Sequence, residues 1–174
     1  LQLANRIVMA PMTREQSHNG LPSAENAAYY ARRAMGGTGL IITEGCSINV
    51  DGSFGANVPR LYGDDAEQAW PQLIQTVQQA GAKILAQLWH VGAFSPSLIG
   101  MQDTHGQTQR RLSPSGLAAP EHSFGDTMTT ADVEQTIEDY ACLAELAKSA
   151  GYDGVEIMGS EGYLITEFLS LRTN

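Results

Sequence analysis

Asp65-Ala66-Glu67-Gln68-Ala69-Trp70-Pro71-Gln72-Leu73-Ile74-Gln75-Thr76-Val77-Gln78-Gln79-Ala80-Gly81-Ala82-Lys83-Ile84-Leu85-Ala86-Gln87-Leu88-Trp89-His90 reads as a helix, a stop, a strand and a polar strand end in succession. Asp65 stands where a cap is needed, with Gln68 at the capping-box position. Trp70, Leu73, Ile74 and Val77 recur at i, i+3, i+4 and i+7, an apolar stripe that must face a sheet. Gly81 stops the helix, and Ile84–Leu88 predicts a strand whose end carries Gln87, Trp89 and His90.

The same unit recurs on either side. Ile7–Ala10, closed by Pro11, predicts a buried parallel strand. Ser23 can cap a helix to Met35, which Gly36-Gly37 ends. Leu40–Thr43 follows as strand two, bounded by Gly39 and Gly45. Thr129, with Asp132 three residues on and Met128 facing Val133, opens helix three. Its stripe is predicted from Val133, Ile137, Tyr140, Ala141 and Ala144, with Gly151 as the stop and Gly154–Met158 as strand four. Polar residues gather at every strand end: Pro11-Met12-Thr13, Thr43-Glu44-Gly45, Gln87-Leu88-Trp89-His90 and Met158 to Tyr163. Alternating strands and helices imply a parallel sheet with helices outside. A TIM (β/α)8 barrel carries its chemistry at the carboxyl ends of its strands, so four such clusters point to one site.

A complete barrel takes about 250 residues. The 174 residues are therefore expected to form one domain, the N-terminal half of a barrel covering about the first four βα units. A start at Leu1 and an end at Asn174 fit a piece of a longer protein. Residues 91–127, rich in Gly, Ser, Pro, Gln and His, break the repeat and predict a functional excursion. The net charge of −9 argues against a nucleic-acid partner, which needs clustered Lys and Arg. No run approaches the ~20 apolar residues of a membrane helix, and no signal peptide is visible, so a cytoplasmic protein is expected. Cys46 and Cys142 form no CxxC pair and have no metal-ligand spacing. Cys142, inside a helical pattern, is expected to be buried; Cys46 either packs or lines a site. No metal motif, dinucleotide fingerprint, P-loop or nucleophile elbow is present.

Thr13, Gln87, Trp89, Glu161 and Tyr163 are poor core fillers just beyond apolar strands, since an unpaired buried polar group costs about 1–3 kcal/mol. A planar hydrogen-bonding ligand would satisfy several together, and Gly45 would let backbone approach it. The Tyr163 phenol can donate a proton to a developing carbanion, with Glu161 orienting it or the substrate. Packing of Tyr163 on the Ile165–Phe168 segment is the alternative. His90 can ligate, bind an anion or hydrogen-bond a carbonyl, the last being favoured.

Four collinear motifs resemble the old yellow enzyme family: Asn5–Arg14, Thr43-Glu44-Gly45, Ala86–Gly92 and Ala150–Ile157. The resemblance implies an FMN-dependent NAD(P)H:flavin oxidoreductase acting on a small-molecule substrate with an activated C=C bond. By the same resemblance Pro11, Met12 and Thr13 lie against the flavin, Gly45 meets it through backbone, and Gln87 bonds its pyrimidine part. Trp89 and Met158 would line the substrate. The family's carbonyl-binding His and His/Asn pair after strand four is replaced here by Met158 and Glu161; Met cannot donate a hydrogen bond, and ionised Glu only accepts. Met158–Ile165, with Glu167-Phe168-Leu169 and Leu171–Asn174, instead resembles the 2,4-dienoyl-CoA reductase branch. There the matching Tyr, Tyr163 here, is the proton donor.

Two alternatives to C=C reduction stand beside it. An anionic Glu161 near a flavin suits a cationic amine, hence N-demethylation within the same family. The chain by itself is otherwise a non-catalytic half-barrel whose two raw sheet edges call for a partner or a second copy as a homo-oligomer. An iron–sulfur cluster would have to come from sequence beyond Asn174.

Overall fold

The computed structural model describes residues 1–99, 110–160 and 162–174. Four parallel strands pair in the order β1 (Val8–Met9), β2 (Leu40–Ser47), β3 (Lys83–Trp89) and β8 (Gly154–Ile157). Helices α1 (Ala24–Met35), α2 (Asp64–Gln79) and α3 (Thr130–Ala150) make the crossovers, and α4 (Leu164–Leu169) follows β8. These are four successive βα units of a TIM (β/α)8 barrel.

The period-2 pleat sends alternate residues of each strand to opposite faces. Ile41, Ile84, Ala86 and Leu88 join Tyr30 of α1, Trp70, Leu73, Ile74 and Val77 of α2, and Leu143 and Ala147 of α3 in one core. Leu85, Gln87 and Glu156 take the other face, the barrel's inner side. A β-bulge decides what β2 contributes there. Ile42 pairs with Leu85 but Gly45 with Gln87, so β2 spends one residue more than β3 over that interval. The extra residue returns Gly45 to the inner face while Cys46, fully buried, stays in the helix-side core.

Local signals explain the helix ends. Ser23 and Thr129 both form capping boxes, with Asn26 and Asp132 answering at N3. Met128 and Val133 pack in one cluster, the staple expected ahead of α3. Gly151 closes α3 at φ 102°, a left-handed turn that strains any residue with a Cβ.

Four expectations are corrected. Asp65 does not cap α2; Gly63 does, without a side-chain bond. Asp65 is instead gripped by both terminal nitrogens of Arg60, at 2.9 and 2.6 Å, a pairing set by the chain's path before the helix. The first strand is not buried: Ile7 is 61% and Val8 46% exposed, because β1 is the edge of the sheet in this chain. On α3 the expected stripe holds in part: Val133, Tyr140 and Ala144 are half-buried against the core clusters and Thr136, Leu143 and Ala147 are buried, whereas Ala141 and Ile137, the latter 63% exposed, are not covered. Cys142 is exposed and not buried, since the covered side of α3 at this turn is taken by Tyr140, Leu143 and Ala144.

The excursion after β3 carries a short 3-10 turn at Pro96–Ile99 and two small sheets. β4 (Leu112–Ser113) pairs parallel with β7 (Asp126–Thr127), and β5 (Leu117–Ala119) makes a hairpin with β6 (His122–Ser123). Arg111 Nη1 donates to Ser53 O at 3.0 Å and Ser115 Oγ to Thr173 O at 2.6 Å, tying the excursion to the β2–α2 loop and to the chain after α4.

Candidate active site

Two rows of side chains cross the carboxyl end of the sheet. In the lower row Gly45, Gln87 and Glu156 are register partners on β2, β3 and β8. Gln87 is buried; its Nε2 donates to Glu156 Oε2 at 2.8 Å and approaches Met158 Sδ at 3.5 Å. The backbone N–H of Gln87 reaches Thr43 Oγ1 at 3.4 Å, across the bulge. In the upper row Ser47 pairs with Trp89, and Met158 follows β8 with its N–H on Leu88 O at 3.0 Å.

Arg14, next to Thr13, is pinned twice. Arg14 N–H donates to Glu44 Oε2 at 2.9 Å, next to Gly45. The guanidinium carbons of Arg14 and Arg33 lie 3.4 and 3.5 Å from the Tyr29 ring centroid, too close to share a face, so the ring is sandwiched. Glu44 is buried, which raises its pKa; the Arg14 backbone bond and charge oppose that rise. Pro11 and Thr13 are half-buried, whereas Met12 is 66% exposed at the mouth.

Gly45 is required by an internal contact. A Cβ there would lie 2.4 Å from Trp89 Cε3, so the indole occupies the space that a side chain would need. Trp89 in turn stacks on Phe54 at 5.6 Å and meets Tyr163 edge-on at 5.0 Å; Phe94 closes the cluster at 5.4 Å from Tyr163. Tyr163 thus packs on the aromatic cluster, and its backbone starts α4. The buried Trp89 Nε1 has no partner among the described residues. Glu161 lies outside the described residues.

His90 behaves differently from expectation. Its Nδ1 accepts from Gly92 N–H at 3.0 Å instead of donating to a carbonyl, so the ring proton sits on Nε2. Burial pushes its pKa down to about 4. The tight turn at Gly92 (φ 66°) delivers that N–H. Three further residues were missed from sequence: Phe54, Phe94 and Glu167. Glu167 alone carried a signal, a lone acid inside the apolar run Leu164–Leu169. No group of three or more His, Cys, Asp or Glu able to hold a metal occurs among the described residues.

The arrangement suits a flat ligand with a hydrogen-bonding rim. The Gly45 backbone, the Gln87 amide and the indole N–H of Trp89, which has no partner among the described residues, lie at the neighbouring ends of β2 and β3. The chain shares its sequence and fold with proteins of known class. A family profile described as NADH:flavin oxidoreductase / NADH oxidase family matches residues 1–174. Identity to 12-oxophytodienoate reductase 1 of Oryza sativa subsp. japonica is 33% over 178 aligned residues, 100% of this chain and 46% of that protein. The structure of morphinone reductase in complex with tetrahydroNAD superposes with a TM-score of 0.88 at 30% identity, over 100% of this chain and 50% of that one. The old yellow enzyme homologue from Zymomonas mobilis gives a TM-score of 0.82 at 34% identity, over 98% of this chain and 48% of that one. The chain therefore spans about half the length of these relatives.

Proposed function

This chain belongs to the NADH:flavin oxidoreductase / NADH oxidase family, and from that premise we propose that the full-length protein carrying it is an FMN-dependent ene-reductase. Relatives named for the reduction of 12-oxophytodienoate and of morphinone support the class. FMN would supply the hydride chemistry of this site, from NAD(P)H to the β-carbon of an activated C=C bond.

The chain's own residues bind, orient and protonate. Thr13, the Gly45 backbone and Gln87 hold the cofactor's rim, with Pro11 and Met12 against its ring. Glu156 fixes the Gln87 amide by accepting from Nε2, which leaves Oε1 toward the ligand. Trp89 and Met158 line the substrate side. Tyr163 delivers a proton to the carbon next to the one that takes hydride, and Glu161, two residues before it, orients substrate or phenol. Phe54, Phe94 and Trp89 keep water from that proton transfer. The observation that carries the reading is the Gly45–Gln87 register at neighbouring strand ends, with Arg14, the residue after Thr13, bonded to Glu44 beside Gly45.

Met158 in place of a hydrogen-bond donor weakens the grip on a simple carbonyl, and the dienoyl-CoA branch is the finer reading this favours. The acidic composition and the lack, among described residues, of a helix long and apolar enough to cross a membrane support a cytoplasmic enzyme. The test is anaerobic stopped-flow with the flavin-loaded protein, offering a cyclic enone, a dienoyl-CoA and an N-methylated amine. Reoxidation of the reduced flavin by either alkene is expected, and by the dienoyl-CoA faster. Turnover of the amine alone would overturn the proposal.

A further inference from the structure

Glu167 is a carboxyl placed where no charge is comfortable. Its residue is 1% exposed. Oε1 accepts from Ala93 N–H at 3.0 Å, while Oε2 is buried without a partner among the described residues. A Cβ on Gly92 would stand 2.0 Å from Oε2, so that oxygen is pressed against the Gly92 α-carbon and not against a donor. Three stretches of chain meet at this one residue. Its N–H donates to Tyr163 O at 2.9 Å, its carbonyl accepts from Thr173 Oγ1 at 3.1 Å, and its side chain holds the segment after β3. That segment carries Phe94 on one side of Tyr163, while Leu164 N–H reaches back to His90 O at 3.3 Å.

Among the described residues no cation pairs with Glu167; the buried Arg111, just before β4, has its Nη1 on Ser53 O. From the β3 side the facing titratable group is His90, which burial keeps neutral. From the hairpin, Ala118, Ala119 and Pro120 border the same cavity, and from the chain after α4 comes Arg172, which is exposed and makes no ion pair with Glu167. On α4 itself the nearest ionisable neighbour is the Tyr163 phenol. An ionised carboxylate with one oxygen unsolvated is far costlier than a neutral acid with one unbonded hydroxyl. Burial accordingly raises its pKa to about 8.

We propose that Glu167 is a positioning residue held as the neutral acid, clamping the segment after β3 to α4 so that Tyr163 stays fixed against Trp89 and Phe94. The clamp's catalytic consequence rests on Tyr163 being the proton donor. Ionisation puts an unsolvated charge beside Gly92 and parts the two segments, moving the phenol off line.

The experiment is an infrared difference titration of the full-length, flavin-loaded protein, wild type against Glu167→Gln. A protonated-carboxyl stretch is expected at pH 7 in the wild type, absent from the variant, and lost as pH passes about 8. Rates of alkene reduction should fall on the order of 10-fold across that step in the wild type, by misorientation of the donor. The amide variant keeps the neutral shape, so it should retain the lower-pH rate and lose the step. An absent acid band at pH 7, or an unchanged alkaline step in Glu167→Gln, overturns the clamp. The infrared band reports on Glu167 even if no alkene is reduced, so failure of the reductase reading is seen separately.

Discussion

Gly45 shows how one missing side chain organises the site. Its hydrogen lies where the Trp89 indole sits, and Trp89 is the hub of the aromatic cluster. Gly45→Ala must therefore push the indole, costing about 1–3 kcal/mol as overpacking does. The expected outcome is a lowered melting temperature and a shifted Trp89 emission; an unchanged melting curve would show that the ring has room to retreat. Two buried titratable groups give the pH profile its sign. His90 falls from 6.5 to about 4 on folding, so its contribution is present above pH 6.5 and lost as pH drops toward 4. Glu167 rises from 4.5 to about 8, so its contribution is present below pH 4.5 and lost as pH climbs to 8. The two oppose one another between 4.5 and 6.5, and Glu167 acts alone from there to 8. Thermal stability is expected to decline over that upper window in the wild type and to stay level in Glu167→Gln.

At the scale of elements, local chemistry was legible and geometry between elements was not. Ser23 and Thr129 declare their helices because a cap acts on its own first turn. Asp65 misled because its real partner, Arg60, precedes the helix and takes both carboxylate oxygens. The α3 stripe was legible at Val133, Tyr140 and Ala144 but not at Ile137 and Ala141: Thr136 is buried while Ile137 is exposed, and polarity alone cannot set the edges of so weakly amphipathic a helix. The β2 bulge is silent in sequence, yet it alone puts Gly45 on the same face as Gln87. Cys142 lies off the covered side of α3. It is exposed, with Sγ donating to Glu138 Oε1 at 3.5 Å, whereas Cys46 is fully buried and its thiol is pushed up to about 12. A disulfide reagent should therefore label one thiol per native chain, slowly because Glu138 raises that pKa as well, and two in denaturant. Cys142→Ser should abolish the native reaction. Labelling of two thiols in the folded protein would contradict the burial of Cys46, and labelling of none the exposure of Cys142 on α3.

For the molecule as a whole, the strand ends were legible in the sequence while the parts packed around them stayed hidden. Thr13, Gly45 and Gln87 stood out because polar and glycine residues ended apolar strands. Phe54 and Phe94 looked like ordinary loop aromatics, since only the tertiary path brings them onto Trp89 and Tyr163. The chain spans about half of its relatives, and β1 and β8 stand at the two edges of its parallel sheet. We infer that residues 1–174 present one wall of the cofactor's seat and need the rest of a barrel to retain FMN. The most direct measurement is a fluorescence titration of FMN onto the apo form of the full-length protein, its Thr13→Ala and Gln87→Ala variants, and residues 1–174 alone. Stoichiometric binding by the full-length protein, roughly 10-fold weaker binding for each variant through a lost hydrogen bond, and little or none by the isolated chain are expected. Unchanged affinity in both variants, or a yellow, stoichiometrically loaded 1–174 chain, would contradict the account.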